Sequence, residues 1–129
     1  MATIETFQSD VLLGKVQSSD LGYGVEEVTV TIEDGMEMGA ALELVSGKYV
    51  WVVAANVANT SAVLIDTLAQ GYVAPLEAGD HTLVVAKRGA TINKLKLTLA
   101  DSVVEADITA AAVAFELAGA NKVTDKFLG

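Results

Sequence analysis

The 129-residue chain has no cysteine, one proline and one histidine, and aromatic side chains make up only 5% of it. Without cysteine there is no disulfide framework and no thiolate metal site. A single histidine excludes any metal or nucleophile–base set built by pairing histidines. His81 sits in GDHTL, which reads as an ordinary turn leading into a strand. Positive charge is scarce as well: 8 Lys and Arg stand against 17 Asp and Glu, for a net charge of −9. Residues 1–64 hold nine acids and two bases (−7), and residues 65–129 hold eight acids and six bases (−2). Such a balance repels a phosphate backbone or an anionic membrane at long range, so neither nucleic acid nor membrane is expected as a partner. Long apolar runs are also missing. The most apolar stretch, Tyr49 to Ala55, is far short of the roughly 20 residues that cross a bilayer. The opening MATIETFQSD has no basic segment followed by an apolar one, so the expected setting is the cytoplasm or a particle assembled there.

The one concentration of bases is AKRGATINKLKLTLAD (86–101), with Lys87, Arg88, Lys94 and Lys96 and no acid before Asp101. No aromatic residue accompanies them, as a single-strand stacking platform would require. KRGA alone is too little for a phosphate cradle, and neither G-x-x-x-x-G-K-[ST] nor G-x-G-x-x-G occurs. There is no G-x-S-x-G elbow either. In this stretch Leu95, Leu97 and Leu99 alternate with Lys94, Lys96 and Thr98, which predicts a strand with leucines on one face and solvated lysines on the other. The acids Glu26, Glu27, Glu33, Asp34, Glu37 and Glu43 lack the alternating ligand spacing of an EF-hand loop and read as a solvated face. No catalytic constellation, cofactor or metal site emerges.

What the chain does have is a core. Hydrophobic residues make up 52% of it, mostly Ala, Val and Leu, enough for one domain. VEEVTVTI (25–32) alternates, with Val28, Val30 and Ile32 on one face. LELVSGKYVWVVA reads as a hairpin turning at Ser46-Gly47. AVLID (62–66), GYVA (71–74, ended by Pro75) and HTLVVAK (81–87) are further short strands. DITAAAVAFELAG predicts one helix, with Asp107 as N-cap, Ile108, Ala111, Ala112, Phe115 and Ala118 at helical spacing, and Gly119 as the stop. The tail ANKVTDKFLG offers a last short strand. The expected class is mixed α/β, mainly β: a small barrel-like or β-tulip body with one C-terminal helix.

Residues 1–24 differ from the rest. Ile4, Phe7, Val11, Leu12 and Leu13 are scattered without a period, and SSDLGYG reads as a hinge. The segment is either a frayed terminus with an edge strand at Val11 to Val16 or an arm that orders on a partner. The expected organisation is an arm and hinge over 1–24 and a domain over 25–129.

The order DVLLGKV, MGAALELVSGKYV, SAVLIDTL, TLVVAKRGATINKLKLTLAD and an Ala-rich helix ending in Gly resembles the head decoration (capsid cement) proteins of lambda-like tailed phages, over roughly residues 10–120. The most specific block is LVVAKRGATINKLKLTL, where Leu83 to Ala86, Gly89, Asn93 and Leu95 fill the family's apolar strand, Gly turn, Asn and Leu. Ala90 stands where many relatives have Pro, and VEEVTVTIEDGMEM has no evident counterpart. The resemblance implies a non-enzymatic homotrimer on the outer capsid surface of the virion, at three-fold and quasi-three-fold positions, holding the major capsid protein of the expanded head together. It implies an N-terminal arm that contacts the shell through Ile4, Phe7, Val11, Leu12 and Leu13. The alternative is a surface-exposed carbohydrate-binding or host-attachment domain using Tyr49 and Trp51.

Overall fold

The computed structural model describes residues 11–15, 25–65 and 77–125. Five strands close into a barrel in the order β2 (Val25–Ile32), β4 (Lys48–Trp51), β3 (Ala41–Val45), β5 (Ala62–Leu64), β6 (Gly79–Ala86). A second, three-stranded sheet has the order β1 (Leu12–Lys15), β7 (Ala90–Asn93), β8 (Lys122–Thr124). The single long helix described is α1 (Glu105–Gly119). The mainly β body with a barrel and a C-terminal helix is therefore as the sequence predicts.

The barrel follows from period-2 patterning. Val28, Val30 and Ile32 of β2 share one cluster with Leu42, Tyr49, Trp51, Ala62, Leu64, Leu83 and Val85, the inward set of every barrel strand. The intervening Ala41, Val52, Val63, Ile65 and Ala86 point the other way. There they meet Val11, Ala90, Ile92, Leu97, Leu99, Ala111, Ala112 and Phe115 in a second core between barrel, helix and outer sheet. All three residues of β5 are therefore fully buried, since both of its faces are covered. β2 closes the ring: all eight of its residues pair antiparallel with β6, from Val25↔Ala86 to Ile32↔Gly79, and Val30 pairs parallel with Tyr49.

The β3–β4 hairpin turns on Ser46 (φ 51°) and Gly47 (φ 82°), and a two-residue turn with both φ positive matches strand twist. Close approach dictates glycine at two other places. The Gly39 amide donates to the Leu64 carbonyl (2.7 Å) and its carbonyl accepts from Thr98 (3.1 Å). A Cβ there would lie 2.1 Å from the Lys96 carbonyl oxygen, and φ is +102°. At Gly119 a Cβ would lie 2.1 Å from the Lys87 oxygen. Gly119 is thus the last helical residue, pressed on the β6–β7 turn, and the left-handed stop falls one residue later on Ala120 (φ 53°, ψ 44°).

Three local expectations fail for identifiable reasons. Residues 94–99 are not a strand. The Asn93 side-chain oxygen accepts from the Leu95 amide (3.0 Å) and starts a 3-10 turn over Lys94–Lys96. The turn rotates Leu95 outward, leaving it 68% exposed, while Leu97 and Leu99 stay buried. The helix starts after Val104 rather than at Asp107. Asp107 lies in its first turn, where the helix dipole favours an acid, and accepts from the Ser102 hydroxyl (2.7 Å). Ala118, grouped with Phe115 by spacing, faces solvent, not the core. GYVA (71–74) lies outside the described residues.

Asn121 joins helix, turn and outer sheet with one side chain. Its Nδ2 donates to the carbonyls of Lys87 and Phe115 (2.9 Å each), and its Oδ1 accepts from the Ala90 amide (2.9 Å). Each such bond contributes about 0.5–1.5 kcal/mol net, so Asn121→Ala is expected to lower unfolding stability by about 2–4 kcal/mol in urea titration. A loss under about 1 kcal/mol would show that the three bonds are replaced by water.

Candidate functional site

Of the sequence-predicted arm residues, three fall within the described residues. Ile4 and Phe7 lie outside the described residues. Val11 is fully buried, inside the same core as Phe115 and Ile92, so it is a residue of the body rather than a free contact of an arm. Leu12 and Leu13 lie in β1, whose main chain pairs with β7 at Leu12↔Ile92, Gly14↔Thr91 and Lys15↔Ala90. The register slips between Leu12 and Gly14, making Leu13 the extra residue of a bulge. The described core thus includes Val11, 14 residues before Val25, where the β pattern of the sequence starts.

The turn-and-strand residues come together as supports. The Gly89 amide donates to the Gly119 carbonyl (2.9 Å), which docks the β6–β7 turn on the end of α1. Asn93, 5% exposed, shapes the turn that presents Leu95.

The basic stretch is largely neutralised by acids remote in sequence. Lys87 Nζ lies 3.2 Å and Arg88 3.7 Å from the Glu26 carboxylate. Burial pushes the Lys87 ammonium down, but polar contacts with Tyr49 and Glu26 outweigh it and leave its pKa raised. Lys94 Nζ donates to Glu105 (2.6 Å) and Thr109 (2.9 Å). Of the lysines predicted to coat a solvated strand face, Lys94 thus ties its turn to α1, while Lys87 and Arg88 tie the β6–β7 turn to β2.

Nor do the acids converge. Glu33, Asp34 and Glu37 are exposed around the β2–β3 connection, while Glu43 is buried in β3. Among the described residues no three of His, Cys, Asp and Glu are placed to hold a metal ion. The Asp80 carboxyl, held by Lys48 and by the Thr31 hydroxyl (2.7 Å), sits below its ordinary pKa. His81 Nε2 lies 2.8 Å from the Glu77 carbonyl. Tyr49 is 5% exposed inside the barrel, and the Trp51 indole donates to the Thr98 carbonyl (3.2 Å). A sugar platform built on these two rings has no open face on Tyr49, so the carbohydrate reading loses one of its two residues.

Two surfaces among the described residues bear on partners. One is the edge of the outer sheet at β8, where the Val123 amide donates to the Glu116 carboxylate (3.0 Å). The other is the outer side of α1, with Val113 49% and Leu117 82% exposed. Sequence reading followed only the inward face of this helix. The missed signal was that its opposite face carries no charge.

None of the curated proteins matches the sequence. A family model described as bacteriophage PhiTE minor capsid decoration protein matches residues 1–129, the full length of the chain. The chain, with its barrel and C-terminal helix, belongs to this family of phage capsid decoration proteins.

Proposed function

We propose that the protein is a cement: it binds the outer surface of the expanded phage head as a homotrimer at three-fold and quasi-three-fold positions and holds neighbouring major capsid protein subunits together. The observation that carries this reading is the match of the whole chain to a capsid decoration family. Decoration needs no chemistry, and affinity comes from contact area and from the linking of several sites in one oligomer.

In this reading residues 1–10, with Ile4 and Phe7, supply shell contacts. Val11 in the core and β1 in the outer sheet give that segment a firm root on the body. An extended peptide can add to a strand edge on the shell, with main-chain hydrogen bonds supplying affinity and apolar side chains filling pockets. Leu12 and Leu13, being in β1, contribute through the sheet that anchors the segment.

The test is a pair of shortened chains. A chain beginning at Val11 is expected to melt as the full chain does yet no longer cosediment with expanded capsids. A chain beginning at Leu21 also loses the buried Val11 and all of β1 and is expected to melt well below it. Undiminished capsid binding by the chain that begins at Val11 would remove the shell contact from residues 1–10.

A further inference from the structure

The outer side of α1 is apolar and, among the described residues, without a partner. Ala106, Ala110, Val113 and Leu117 follow one another at spacings of four, three and four, the heptad spacing of a coiled-coil seam. All but the half-buried Ala110 are exposed. The opposite side, with Ala111, Ala112 and Phe115, is already in the core. A helix apolar on both sides is ordinarily covered on both.

The surroundings extend the same surface. Among the described residues seven large apolar side chains are exposed, and five belong to α1 or to segments joined to its first half. Val103 (92%) and Val104 (56%) lead into the helix, and Leu95 (68%) lies on the turn that Lys94 ties to Glu105 and Thr109.

Charge identifies the occupant. Copies of a chain at −9 repel one another, least where no charge is presented. The seam is uncharged for about 16 Å, at 1.5 Å per residue. The three acids of α1 are each engaged within the chain: Glu105 by Lys94, Asp107 by the Ser102 hydroxyl, and Glu116 by the Val123 amide. A basic partner would find no free acid of α1 to meet, whereas an identical seam finds matching knobs and holes.

We infer that α1 is the self-association surface of the protein: helices of different copies pack parallel, seam to seam, with Val113 and Leu117 nearest the symmetry axis. This rests on the trimer reading for its three-fold order.

The test is mass in solution by light scattering, with no capsid present, so its outcome is independent of whether residues 1–10 hold the shell. The full chain is expected at three times its 13.4 kDa. Val113→Glu combined with Leu117→Glu is expected to give a threefold fall, to a folded single chain, because both side chains face solvent. A monomeric full chain, or a double variant of unchanged mass, overturns the inference. The absence of native cysteine allows a milder second measurement. In a parallel arrangement Leu117→Cys is expected to form a disulfide between copies under mild oxidation, while Leu44→Cys, on the β3–β4 hairpin, is not. No cross-link at Leu117→Cys, or equal cross-linking at both positions, overturns it as well.

Discussion

Gly39→Ala is expected to unfold the protein or to lower its stability by more than about 4 kcal/mol, an exceptional effect for the addition of one methyl group. Two costs coincide. At φ +102° an L side chain is strained by about 1–3 kcal/mol. The new carbon would also stand 2.1 Å from a main-chain oxygen, that of Lys96, which cannot swing aside as a side chain could. Relief requires the segment around Thr98 to withdraw from β3. That withdrawal breaks the bond from the Ala41 amide to the Thr98 carbonyl (2.9 Å), its neighbour from Thr98 to Gly39, and the seat of the Trp51 indole. Denaturant unfolding measures the loss, and Trp51 emission should report it locally. A variant within about 1 kcal/mol of the parent would mean that this strap does not lie against β3.

Phe115→Ala is expected to cost about 3–5 kcal/mol. Phe115 is the largest fully buried side chain described, and it lies where the barrel exterior, α1 and the outer sheet meet. Its removal leaves a cavity in a cluster rich in Ala and Val, whose side chains are too short to fill it. Ala111 and Ala112 are there to bring α1 close, so they have no reach to spare. Thermal and urea unfolding should agree on the size of the loss. If Phe115→Leu restores most of the stability, burial rather than ring geometry is what the site demands.

The parts of this fold that could be read from the sequence are those governed by neighbours in the chain. The Ser46-Gly47 turn joins two alternating segments, and the turn type requires only those two residues. The period of Val28, Val30 and Ile32 needs no knowledge of what they face. α1 was legible from Ile108 to Phe115, and the short return at Lys122–Thr124 from its apolar centre. What escaped depends on side chains bonding the main chain or on contacts far along it. Leu95, Leu97 and Leu99 have perfect alternation, yet one oxygen of Asn93 diverts the backbone before the alternation can act. Val11 looks stray because its covering residues, Ile92 and Phe115 among them, come some eighty to a hundred positions later. Closure of the barrel by β2 on β6 likewise joins residues about fifty apart, with nothing local to announce it. The candidate surface was half legible: the inward stripe of α1 drew attention, and the outward one was hidden by its small residues.

The carboxylate of Glu116 on the Val123 amide bears on life in a crowd. Proteins gathered on one particle meet their own kind side by side at densities that dilute solution never reaches. Under such crowding an open strand margin is an invitation to zip together into ribbons. Here a neighbour approaching the β8 margin meets a donor already taken and a negative charge in its path. A coat built of such units can be dense and still remain a set of separate pieces.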